Sequence, residues 1–415
     1  MINTNKKVIT AACSFALLCI FVCNLIVGFG QQSKSSLPMP NNTVNLASEI
    51  VGSSQPTIGQ VEVVATFPKN WASGVGVTSG GRIFVSFPRR DASEVAFTLA
   101  EIKNNVPIAY PDAATSSLNL SDSANTFVSI HAVYVDAQDR LWVMDTGTLN
   151  VGAIIPNAPK IICIDTKTNR IIKKFTFPVD VLQTNTDLND FRFDFTRGRE
   201  GIVFVTDSVD KQKGANAIIA VDLATGKAWR KLNGDPNVSA TPNFAPIIEG
   251  EPLMVRTKGK PAAFSQTGCN GIAISADGKT IYWTSASDYN LYSAPVDALV
   301  DPNLTDAQTS KQVQKLPTRD FASDGLEMDA QNRLYLSDLT HNAIQRRTAD
   351  GRYEIVVRDQ RILWADCLRL ARDGYLYFTV NQNNRNPMYH EGVELRRPPY
   401  ALLRVKIDGA TPVER

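Results

Sequence analysis

Six segments of this chain share one layout, and that repetition limits the possible folds more than any other feature of the sequence. They are "SGVGVTSGGRIFVSFP" from Ser73, "HAVYVDAQDRLWVMDTG" from His131, "NDFRFDFTRGREGIVFVTDS" from Asn189, "NGIAISADGKTIYWTSAS" from Asn270, "DGLEMDAQNRLYLSDLT" from Asp324 and "DCLRLARDGYLYFTVNQ" from Asp366. Each opens on a polar residue, runs through an alternating strand and a Gly/Asp/Asn-rich turn, and ends in a second apolar strand. Successive starts lie between 42 and 81 residues apart. Short-strand repeats of this size are the mark of a β-propeller. Further strands, such as "KIICID" with "RIIKKFTFP" and "AIIAVDL" with "AWRKL", complete each unit as a four-stranded blade. The last unit runs out after "YALLRVKI" (400–407), and "VEVVATF" (61–67) is available to fill its fourth place. The expected fold is all-β: a six-bladed propeller of four-stranded antiparallel blades over residues 59–415, closed by its N-terminal strand, which leaves no free sheet edge.

In such a ring the first strand of each blade lines a central channel, and its first residue sits at the upper mouth. Ser73, His131, Asn189, Asn270, Asp324 and Asp366 hold that position. Any one of them alone reads as a strand-end residue bonded to nearby backbone. Six in register form a candidate site for a cation or a small polar ligand, with Asp324 and Asp366 as candidate catalytic carboxylates. The loops after the second strands reach the same face and carry Asp145, Asp207, Ser285, Asp338 with His341, and the long segment 381–400. Within that segment Arg385, His390 and Arg396 are expected to cover the channel as a lid or to contact an anion. Trp142, Trp283 and Tyr335 lie in second strands and read as packing between blades.

The charge balance, 43 Lys+Arg against 41 Asp+Glu, has no basic block, which argues against nucleic acid as the main partner. After Lys6 and Lys7 comes "VITAACSFALLCIFVCNLIVGFG", read as an export leader over residues 1–30 or as an uncleaved membrane anchor over 8–30. Residues 31–58 are polar and Ser- and Pro-containing, as in a tether. A secreted or periplasmic protein is expected, touching a membrane only through the N-terminal segment. Beyond the leader only Cys163, Cys269 and Cys367 remain, which is neither a disulfide framework nor a zinc-binding pattern.

The ordered motifs "LWVMDTG", "GANAIIAVDLATGKAWR", "GIAISADGKTIYWTSASDYNLYSAP", "ASDGLEMDAQNRLYLSDLTHNAI" and "RRPPYALLRV" resemble the major royal jelly protein/yellow family from about Val61 onward. That family is distantly similar to gluconolactonase/senescence-marker-protein propellers, whose channel holds a divalent metal on a Glu, two Asn and an Asp. The resemblance places Asn189, Asn270 and Asp324 as metal ligands for Ca, Mg or Zn, while Ser73 stands where those lactonases have Glu. His131 would suit a softer metal or a proton-transfer role. Two readings follow from the resemblance. One is an exported protein binding a small polar or aromatic amine. The other is a metal-dependent lactone hydrolase or a dopachrome-type isomerase using Asp324 or Asp366 as base. A protein-interaction platform, open to any propeller, has no positive feature in this sequence.

Overall fold

The computed structural model describes residues 57–91 and 94–414. The expected leader, and the tether as far as residue 56, lie outside the described residues. Six four-stranded antiparallel sheets form the blades, five of them from consecutive strands. Their innermost strands are Val75–Val77, Ile130–Val135, Leu188–Asp194, Cys269–Ile274, Leu326–Met328 and Ala365–Leu370. The sixth sheet is composite. Ala365–Leu370, Tyr375–Val380 and Tyr400–Lys406 are joined on the outside by Val61–Phe67, with Phe67 opposite Tyr400 and Val61 opposite Val405. Phe67 and Ala65 bury their side chains against Leu402 and Tyr400, so the closure is apolar as well as hydrogen-bonded. Among the described residues no helix is long and apolar enough to cross a membrane.

The core lies between the blades, where the inner strands of each sheet are covered by its neighbours, while outer strands such as Arg170–Thr176 meet water. Trp142 of the second blade packs on Phe193 of the third, with ring centroids 4.8 Å apart. Trp142, Trp283 and Tyr335 are all fully buried, as expected of packing residues. Each such side chain contributes about 2–3 kcal/mol by leaving water. The three cysteines are buried and free.

Near the axis the strands crowd, and the sequence answers with glycine. A Cβ at Gly271 would fall 1.9 Å from the carbonyl oxygen of Asp324, and one at Gly325 would fall 2.0 Å from that of Asp366. This is why a polar mouth residue is followed by Gly in "NG" and "DG": only a residue without a side chain lets adjacent inner strands approach so closely. Hydroxyls near the ends of the second strands then tie blade to blade. Ser86 donates to the carbonyl of His131 at 2.6 Å, Thr206 to that of Asn270 at 2.7 Å, and Thr379 to that of Ser73 at 2.5 Å.

The widest spacing in the repeat, between Asn189 and Asn270, is filled by an insertion on the upper face. Two short hairpins, Ile247–Ile248 with Glu251–Pro252 and Met254–Val255 with Ala263–Phe264, form part of a roof there. The loop after the sixth blade's second strand completes it, with the Arg256 N–H donating to the Met388 carbonyl at 2.9 Å. Beneath lies a small apolar cluster that includes Leu253, Trp364 and Tyr389.

Candidate functional site

The mouth residues point inward because the ladder breaks where they sit. The pairing of first and second strands shifts register between Ile130 and Val133, Leu188 and Phe191, Cys269 and Ile272, and Ala365 and Leu368. His131, Asn189, Asn270 and Asp366 fall inside these four irregularities, which re-aim a side chain as β-bulges do. Asp324 precedes its strand and is held by the Ser337 hydroxyl, which accepts the Asp324 N–H at 2.8 Å and the Gly325 N–H at 3.1 Å.

Five of the six mouth residues, His131, Asn189, Asn270, Asp324 and Asp366, line one cavity of about 420 Å³. Ser73 is buried beside it, hydrogen-bonding Asp366. Arg385 and His390 are not brought into this cavity; they line a neighbouring one, and Arg385 is paired there with Glu249 at 2.6 Å. The reason is the roof. Leu253 and Tyr389 wall both cavities, and the loop carrying Arg385 borders both, turning Asn381, Asn383 and Met388 to the mouth and Asn384, Arg385 and His390 to its neighbour. Arg396 is also committed elsewhere, to Asp91 at 2.7 Å and to Glu394 at 2.5 Å. The acids that close the second strands serve the frame. Asp145 accepts the N–H groups of Val128 and Ser129 and pairs with buried Lys160 at 2.9 Å; Asp207 accepts the Asp187 N–H and pairs with Arg230 at 2.9 Å.

Electrostatically the mouth is uneven. Arg90 forms a two-pronged ion pair with Asp187 (2.6 and 2.7 Å), which holds that carboxylate below its ordinary range despite its burial. Among the described residues Asp324 and Asp366 have no such ion pair. Burial raises Asp324 well above its ordinary range, and the neighbouring Asp366 charge raises it further, against a 2.6 Å hydrogen bond from the Trp364 indole. Loss of water around Asp366 pushes its carboxyl up to about 6, against hydrogen bonds from Ser73 and Asn381 and the charge of Arg90. His131 is held down to about 3 by burial and by Arg90, so it is neutral at ordinary pH and unsuited to moving protons there. His131 Nδ1 and Asn270 Oδ1 are buried without a hydrogen-bond partner among the described residues. Trp364 occupies the left-handed region with φ +61, an uncommon state for a bulky residue and one that concentrates at binding sites.

The metal set that the resemblance implies, Asn189, Asn270 and Asp324, shares the cavity but does not fit a hard divalent cation. By itself it brings a single carboxylate, one oxygen of which already accepts from Trp364; the replacement for the missing Glu would be water or Asp366, which lines the same cavity but whose carboxyl is itself pushed up to about 6. Affinity for such ions rises with the number of charged oxygens.

Further along the inner strands lies a second ring of opposite character: Arg192, Glu327 and Arg369 stand three residues past their mouth residues, roughly 10 Å deeper, and Asp190, next after Asn189, reaches down to them. Arg192 meets Asp190 at 2.9 Å and Glu327 at 3.4 Å, while Arg369 meets Asp190 at 3.1 Å and Glu327 at 3.4 Å. Two acids and two bases thus close on one another, and each arginine also donates to backbone carbonyls, Arg192 to Leu326 and Arg369 to Val133. This plug, together with Arg90, Trp71, Trp364 and Tyr389, is what the sequence repeat alone does not reveal. The one available signal was "LWAD", which sets a tryptophan two residues before Asp366.

Comparison with known proteins agrees with this architecture. A family model described as Major royal jelly protein matches residues 128–396. Protein yellow of Drosophila melanogaster is 28% identical over 192 residues, covering 41% of this chain and 34% of that protein; protein yellow of Drosophila pseudoobscura pseudoobscura is likewise 28% identical, with 33% of its length covered. The match therefore spans about a third of those relatives. Among solved structures, a gluconolactonase from Xanthomonas campestris superposes with a TM-score of 0.50 at 12% identity, covering 84% of this chain and 89% of that one. A luciferin-regenerating enzyme gives a TM-score of 0.50 at 11% identity, covering 86% of this chain and 99% of that one. At such identities these structures speak to the fold alone.

Proposed function

Given that this chain belongs to the major royal jelly protein family, we propose that it is an exported propeller that binds a small aromatic amine at the mouth of its channel. The observation that carries this reading is the pair Asp324 and Asp366, two neighbouring carboxylates facing one cavity without a dedicated base. An ammonium group placed between them relieves their mutual repulsion and gains charge-assisted hydrogen bonds. The unpartnered Asn270 Oδ1 accepts a further N–H. Trp71, Trp364 and Tyr389 line the same cavity and offer aromatic surface to the body of the ligand and to its charge. The apolar leader after Lys7 supports export.

The competing reading is a metal-dependent lactone hydrolase. The shared cavity of Asn189, Asn270 and Asp324 favours it, and their thin complement of charge counts against it. Calorimetric titration of the purified protein with 2-phenylethylamine and with 2-phenylethanol, alongside elemental analysis of the same preparation, separates the two. The amine should bind saturably and the neutral alcohol at least about tenfold more weakly, a difference worth about 1.4 kcal/mol. Stoichiometric Ca, Mg or Zn that Asp324→Ala removes, with no amine affinity, would replace this reading with the hydrolase.

A further inference from the structure

Beside the channel, and separate from its mouth, the roof encloses a second cavity of about 430 Å³. That is within the range that takes a small organic molecule. Ile248, Leu253, Met254, Tyr389 and Leu395 supply its apolar wall, and Ile248, Leu253 and Tyr389 are buried. Three arginines face it, and they differ. Arg385 is neutralised by Glu249 through two hydrogen bonds of 2.6 and 2.9 Å. Arg256 and Arg397 make no ion pair, and their guanidinium groups no hydrogen bond, among the described residues. Their backbones are nonetheless fixed, Arg256 by its N–H to the Met388 carbonyl at 2.9 Å and Arg397 by two 2.8 Å bonds with the Gln382 amide. The remaining charge on the lining is Glu251, which is exposed to solvent.

Asn384, 6% exposed, lines this cavity; its amide nitrogen donates to Glu249 at 2.6 Å, and its Oδ1 is buried without a partner.

We propose that this cavity is a binding site for an amphipathic organic acid, its carboxylate held by Arg256 and Arg397 and its apolar body laid against Leu253, Met254 and Tyr389. Two guanidinium groups without acid partners suit a carboxylate, whose paired oxygens match their planar donors. The apolar wall sets the preference for an acid with a hydrocarbon body over inorganic anions. The site stands apart from the carboxylate pair at the mouth and does not depend on what binds there.

The test is calorimetric titration of the whole protein with 4-phenylbutyrate, with 4-phenylbutanol and sodium sulfate as controls. Saturable binding of the acid is expected, with the alcohol and sulfate at least tenfold weaker. Arg256→Gln with Arg397→Gln should weaken the acid tenfold or more while leaving 2-phenylethylamine titration at the mouth unchanged. Arg397→Gln alone, at an exposed position, provides the same test on a fold that such a change does not threaten, with a weakening of threefold or more. Absence of saturable binding, acid binding unchanged by these substitutions, or its loss in Asp324→Asn would each overturn the assignment. The last outcome would place the acid in the channel instead.

Discussion

The two rings of the channel are built on the same inner strands, and both sit out of bulk water. At the deeper ring Asp190 and Glu327 meet Arg192 and Arg369, two charges of each sign. At the mouth Asp324 and Asp366 face each other while Arg90 is spent on Asp187. Burial alone does not separate them; compensation does. A buried charge with its partner in place belongs to the frame, whereas buried charge without one is retained against its cost and awaits something from outside. The deeper ring therefore closes the channel, and the mouth above it is a blind cavity open to a cationic ligand.

The strongest way to break this contrast is to uncompensate the deeper ring. Arg369→Ala leaves Asp190 and Glu327 with one base between them and should cost about 3–5 kcal/mol in denaturant unfolding. A loss below about 1 kcal/mol would mean that the ring does not hold the blades. Next in size is the close approach that brings the mouth residues together. Gly325→Ala drives a Cβ into the Asp366 carbonyl and should cost about 3 kcal/mol, with loss of amine binding. An unchanged melting temperature would show that the inner strands have room to part.

The mouth should respond in the opposite sense. Asp366 titrates near 3.8 as an unperturbed side chain and about 6 in the fold. Between those values the native state holds the extra proton, so stability falls as pH rises from about 4 to 6 and stays lower above it. Asp366→Asn should remove that fall, stabilising the protein near neutral pH by an amount on the order of 3 kcal/mol, read as unfolding free energy against pH. The same slope in the variant would deny the carboxylate its raised affinity for protons. The smallest effect is expected at the roof. Arg385 and Glu249 are partly exposed, and Arg385→Ala should cost no more than about 1 kcal/mol and leave amine affinity within about threefold.

Much of this architecture was legible in the chain. The blade count, the composite last sheet and the shared mouth position followed from strand alternation and from a polar residue set before glycine, because the packing of inner strands admits little else at "NG" and "DG". The widest spacing of the repeat does not disclose the hairpins that fill it, since two-residue strands carry no readable alternation. The deeper ring was hidden for a related reason: Arg192, Glu327 and Arg369 alternate with apolar neighbours as solvent-facing residues do, yet they face a narrow channel. Arg90 lies in a loop outside any period. That Arg385 and His390 line the hollow beside the mouth was not legible, because chain order does not say which residues of a long loop will turn to each of two adjoining hollows.

The contrast between the rings is tested most directly by titrating 2-phenylethylamine into the native protein and into Asp324→Asn/Asp366→Asn from pH 5 to pH 8. The native protein should bind more tightly as pH rises through about 6, releasing a proton seen as a buffer-dependent heat, and the double variant should lose at least about 30-fold in affinity, or about 2 kcal/mol. Affinity that is flat with pH and equal in the two proteins would contradict the account.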